Sequence, residues 1–104
     1  MARVRLCALS QAPAPGKGRH VDVPPGPGVA LFSLGNGEFA AIEDNCPHMD
    51  APLHDGICAR GVVTCQWHGW QFDLRTGESL MSENIRVKRF PVVIEDGSLW
   101  AELP

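Results

Sequence analysis

The sequence predicts an all-β domain, and three observations carry that reading. Apolar residues fall in short or alternating runs punctuated by glycine and proline. Two dipeptides, Asn36-Gly37 and Asp96-Gly97, each lie between strand-like runs. A stiff Pro24-Pro25-Gly26-Pro27-Gly28 stretch interrupts the chain where no helix could continue.

Taken in order, Val4, Leu6 and Ala8 alternate with Arg5 and Cys7, which predicts a first strand. Cys7 reads there as a small buried apolar side chain. Residues 19–23 predict a second strand. Residues 29–34 and 38–43 flank Asn36-Gly37, which supplies the positive φ values of a tight hairpin turn. Residues 61–64, 70–74 and 85–90 are strand-like, and residues 75–78 form a turn. Residues 92–95 and 98–103 flank Asp96-Gly97 and predict a closing hairpin. Between residues 45 and 69 this rhythm breaks. That stretch holds three of the four cysteines and every histidine but His20. A short helical turn is expected near residues 49–53.

Composition narrows the function. A chain of 104 residues predicts one domain, spanning 1–104, with a core large enough to fold without disulfides. The net charge of −3, with no basic cluster, argues against a nucleic-acid partner. No apolar run approaches the roughly 18–20 residues of a membrane span. Residues 1–11 carry Arg3 and Arg5 without an apolar stretch behind them, so no secretory leader is expected. Two cysteines stand in Cys-x-His and Cys-x-x-His settings, which favours metal binding in a reducing compartment. The expectation is a cytoplasmic monomer.

The chemistry lies in Cys46-Pro47-His48 and Cys65-Gln66-Trp67-His68. Each segment offers one thiolate and one imidazole from a short loop. Two such loops can close on a compact iron–sulfur core, with two Cys on one iron and two His on the other of a [2Fe–2S] cluster. Thiolate suits ferric iron, and neutral imidazole leaves the reduced form less disfavoured than four thiolates would. The same donors could instead hold one tetrahedral zinc ion and staple a binding module, although Cys-x-His is a tight spacing for that.

The stretches from Cys46 to Leu53 and from Cys65 to Asp73 resemble the two cluster loops of Rieske proteins. The likeness is to the small ferredoxins of ring-hydroxylating dioxygenase systems and to the small subunit of assimilatory nitrite reductase. It extends through residues 75–78 and 90–97. The resemblance implies stacked antiparallel β-sheets, with a small cluster-binding part, about 45–70, set on a β base. It assigns Cys46 and Cys65 to the inner iron and His48 and His68 to the outer iron, near the surface, where electrons enter and leave. It further implies an electron-transfer component rather than an enzyme, between a flavin-dependent reductase and a terminal oxygenase. A nitrite reductase subunit is the alternative.

Four positions mark a subtype. Ala51 and Trp67 stand where respiratory Rieske proteins carry a disulfide, so that bridge cannot form. Trp70 and Phe72 stand where those proteins place hydroxyls that donate to cluster and ligand sulfurs, so a low potential is expected. Gly69 is expected to let backbone amides approach the sulfides, and Leu53, Trp67 and Trp70 to shield the cluster. Met81 is a candidate apolar cover. His20 and His54 match no ligand position and read as solvated surface. Glu43, Asp44, Asp50 and Asp55 crowd the region against Arg60 alone, and are expected to face solvent or steer a basic partner. Cys58 has no assigned role.

Overall fold

The computed structural model describes residues 2–24, 26–47, 51–67 and 69–103. The all-β expectation is met. Among the described residues ten strands form three antiparallel sheets: β1 (Ala2–Ala8), β10 (Ser98–Leu103) and β9 (Val92–Glu95); then β2 (Gly18–Val21), β3 (Val29–Gly35), β4 (Glu38–Glu43) and β8 (Arg89–Phe90); then β5 (Ile57–Ala59), β6 (Val62–Thr64) and β7 (Gln71–Asp73).

The middle sheet is a wall between two cores, and the pleat of β3 and β4 assigns alternate residues to each. Ala30, Phe32, Ala40 and Ile42 face the core that holds Cys46, Leu53, Val63, Cys65, Phe72 and Leu74. Val29, Leu31 and Ala41 face the other core, with Leu6, Cys7, Leu99 and Ala101. A strand buried on both faces needs a continuous apolar run rather than an alternating one, which is why Val29–Phe32 reads as it does.

Both anticipated hairpins form. Asn36 and Gly37 have φ values of 54° and 77°, and Asp96 and Gly97 have 52° and 71°, so both turns carry two left-handed residues. A third turn of the same kind, Arg60-Gly61, joins β5 to β6, where Ala59 pairs with Val62. It escapes a sequence reading because arginine, unlike asparagine or aspartate, carries no preference for that conformation.

Three expectations are corrected. Strand β1 does not alternate strictly. The register slips between Arg5 and Cys7 against β10, and this bulge turns both Leu6 and Cys7 inward. Residues 85–88 are not ladder strand. Val87 N–H donates to Gly77 O and Ser79 N–H donates to Ile85 O; Lys88 O accepts the Glu43 N–H at the end of β4, and the ladder with β4 is formed by Arg89–Phe90. The short helical turn lies at Leu53–Asp55. Of the segment expected there, Met49 and Asp50 fall outside the described residues.

No cysteine is in a disulfide. Cys7 and Cys58 are buried, at 2% and 6% exposed, and burial pushes both thiols up, against the opposing charge of Arg19 and Arg5 at Cys7. A protonated, buried thiol is a poor nucleophile. Neither side chain should therefore react with iodoacetamide in the folded protein at neutral pH, as read by mass spectrometry. Both should label once the chain is unfolded. The wall is equally open to test. Phe32 is fully buried at its centre, and Phe32→Ala should lower unfolding free energy by about 3–5 kcal/mol in a urea titration.

Candidate metal centre

Two loops, one leaving β4 of the wall and one joining β6 to β7, are closed in the same way. The Cys46 N–H donates to Ala51 O at 2.8 Å, and the Cys65 N–H donates to Trp70 O at 2.7 Å. Each bond runs from a cysteine to the residue five positions on. Each bond therefore closes a loop that has the cysteine at its root. Gly69 N–H adds a bond to Cys65 O at 2.9 Å, and φ at Gly69 is 73°, in the region that a side chain disfavours. Nothing among the described residues crowds the space a Cβ would take there. The backbone angle therefore already requires glycine.

Both cysteines are 1% exposed and belong to one core. Ala51, Leu53 and Phe72 are fully buried beside them. Two soft donors, not bridged to each other, thus lie in one dry apolar core. That donor chemistry fits iron or another thiophilic metal, and it gives bound sulfur a water-poor environment. His48 and His68 lie outside the described residues. Trp70 is half-buried and packs against the same core, whereas Trp67 is 59% exposed and Met81 64% exposed. Neither Trp70 nor Phe72 brings a hydroxyl.

A neighbouring group of side chains differs from its sequence reading. Asp44 does not face solvent. Its side chain is 2% exposed, and its Oδ2 lies 2.5 Å from His20 Nδ1 and 2.6 Å from His54 Nδ1. Its Oδ1 accepts the His54 N–H at 2.9 Å. His20 and His54 are therefore partners of a buried carboxylate rather than bystanders on the surface. The sheet register explains the meeting. Val21, Val29 and Glu43 are aligned across β2, β3 and β4, so the residue just past β4 lies beside the end of β2. The Asp44 N–H donates to Gly28 O at 3.0 Å and seals that corner. Spacing along the chain gives no sign of this, because the three residues meet only through strand order. Of the other acidic residues grouped with Asp44, Glu43 is half-buried and Asp55 exposed, while Asp50 falls outside the described residues.

Among the described residues no helix is long and apolar enough to cross a membrane. The Rieske [2Fe-2S] domain model matches residues 2–91. The ferredoxin component of the p-cumate 2,3-dioxygenase system of Pseudomonas putida is 35% identical, over 96% of this chain and 85% of that one. The 4beta-methylsterol monooxygenase of Methylococcus capsulatus is also 35% identical, over 72% of this chain, but the match spans only 23% of that protein's length. Among solved structures, a ferredoxin of Sphingomonas yanoikuyae B1 superposes with a TM-score of 0.85 at 30% identity, covering 99% of this chain and 100% of that one. A putative NADH-dependent nitrite reductase small subunit from Mycobacterium tuberculosis gives a TM-score of 0.86 at 26% identity, covering 96% and 93%. These matches set aside the zinc-stapled module and identify the cofactor as a Rieske-type [2Fe–2S] cluster. The chain belongs to the Rieske [2Fe–2S] domain family.

Proposed function

We propose that the chain is a ferredoxin-type electron carrier that takes electrons from a flavin-dependent reductase and hands them to a terminal oxygenase. Cys46 and Cys65 hold the inner iron of its cluster, and His48 and His68 the outer one. The observation that supports this most is the matched closure of the two cysteine loops, each carrying one of the two Cys/His pairs at its root. When bound, the cluster supplies a one-electron couple.

The chain's own residues do the rest. The Cys46–Ala51 and Cys65–Trp70 backbone bonds fix both cysteine positions through the main chain itself. Ala51, Leu53 and Phe72 exclude water from the thiolate side. Charge is then disfavoured on that side, and electrons pass by way of the histidines. The protein acts by delivery rather than by catalysis, as a cytoplasmic monomer, with residues 45–70 as the cluster-binding part of one domain spanning 1–104. The p-cumate system component, at 35% identity, supports the oxygenase reading over the nitrite reductase one, whose relative shares the shape at 26%.

Two experiments test this. Cys46→Ser and Cys65→Ser should each abolish the visible absorption and the reductase-driven reduction of an oxygenase. Cys7→Ser should leave both intact. A full spectrum in Cys65→Ser would overturn the ligand assignment. Absence of hydroxyls at Trp70 and Phe72 should also place the midpoint toward the low end of the Rieske range, about −150 mV. A redox titration giving a value well above zero would contradict that.

A further inference from the structure

We propose that His20, Asp44 and His54 form a second metal site, for a divalent transition ion of the zinc type, distinct from the cluster loops. One ligand atom from each residue lies within 4.8 Å of the other two, and Asp44 Oδ2 is 2.5 Å from His20 Nδ1 and 2.6 Å from His54 Nδ1. Two imidazole nitrogens and one carboxylate oxygen are a donor set that zinc accepts, with a fourth position left for solvent. The burial suits that role. The Asp44 carboxylate lies at the bottom, 2% exposed, and the imidazoles above it are 38% and 28% exposed. An ion can therefore reach the donors from the exposed side and keep a water there.

The surroundings already hold these groups as ligands are held. Asp44 Oδ1 is engaged by the His54 N–H, which leaves Oδ2 as the single oxygen directed at both rings. Behind His54, the Asp55 carboxylate Oδ1 faces Nε2 at 3.3 Å. A metal-bound histidine characteristically donates its remote N–H to such a carboxylate, which fixes the tautomer and strengthens the ligand.

Two glycines make the convergence possible. A Cβ at Gly28 would overlap the His20 ring at Cε1 and lie 2.8 Å from Val21 O. A Cβ at Gly18 would lie 2.5 Å from His54 O and 2.7 Å from Phe32 Cε1. The two Nδ1 atoms lie 2.5 and 2.6 Å from the shared oxygen. An ion bound at Nδ1 requires the ring proton on Nε2, so a neutral ring moves its proton there and a protonated ring releases one to solvent. The ion needs each pair to open by somewhat under ~1 Å to reach normal zinc bond lengths. The ring centroids are 5.3 Å apart and the rings are tilted at 50°, so neither ring is stacked against the other in a way that blocks this.

The test uses the untagged protein with its cluster in place and zinc chloride as the probe, followed by calorimetry with the visible spectrum recorded throughout. One zinc per chain is expected, with the spectrum unchanged and the thermal midpoint raised. His54→Ala and His20→Gln should each weaken binding at least about tenfold. The glutamine variant keeps a side chain that can bond Asp44, so its loss of zinc cannot be assigned to unfolding. Its retained spectrum checks the fold. Three results would overturn the proposal: no saturable zinc binding, binding undiminished in His20→Gln, or binding that bleaches the visible absorption and so belongs to the cluster ligands.

Discussion

Everything near the cysteine loops hangs on the β3–β4 hairpin, because that hairpin is buried on both faces. A strand with one wet face can tilt or slip at modest cost. One buried on both sides cannot, since a shift of one residue would exchange Phe32 and Ile42 with Leu31 and Ala41 between two differently shaped cores. Each fully buried large apolar side chain contributes roughly 1.5–3 kcal/mol, so a slip would disturb several such terms at once. The wall therefore has one register. Asp44 and Cys46 leave its end at a fixed place, just past Glu43.

From that fixed end, polar contacts rather than apolar ones tie the site together. Asp44 is held by Gly28 O through its own N–H and by His20 and His54 through its carboxylate. It thus joins β2, the exit of β4 and the Leu53–Asp55 turn that ends the first cysteine loop. A buried carboxylate is costly unless its oxygens are satisfied. Here Oδ1 has a backbone N–H and Oδ2 has two ring nitrogens. The first cysteine loop is consequently pinned at both ends, by Asp44 before Cys46 and by Leu53 and His54 after Ala51. The second loop needs no such brace, because β6 and β7 pair on either side of it.

The sequence was most readable where chemistry is local. Asn-Gly and Asp-Gly turns declare themselves because few residues tolerate their backbone angles, and both turns form. The Cys/His loops declare themselves because few metals accept that mixture of donors. What stayed hidden was set by contacts between distant segments. Arg60 adopts a left-handed angle because β5 and β6 must pair across it, not because arginine prefers it. Cys7 turns inward beside Leu6 because of a bulge against Trp100 and Leu99, more than ninety positions away. Asp44 looked like one more surface acid until strand order placed two histidines over it. Residues 85–88 looked like strand by composition, yet Ile85 and Val87 bond to Ser79 and Gly77 of the preceding turn rather than to a ladder.

The two kinds of cysteine illustrate the same division. All four thiols are buried, so burial alone does not select a ligand. Cys7 and Cys58 sit on strands, and Cys58 Sγ has only a long contact of 3.9 Å to Ser33 O. Strand positions hold their thiols inside the sheet packing and keep them protonated. Cys46 and Cys65 sit at the roots of closed loops, each with a histidine two or three residues on in the sequence. A thiol can become a metal ligand only where the fold lets a second donor reach the same ion. Loop roots with a histidine close by in the sequence offer that chance at Cys46 and Cys65. The pleated strand offers none at Cys7 and Cys58, and so four chemically identical side chains divide into two loop-borne thiols and two pieces of core.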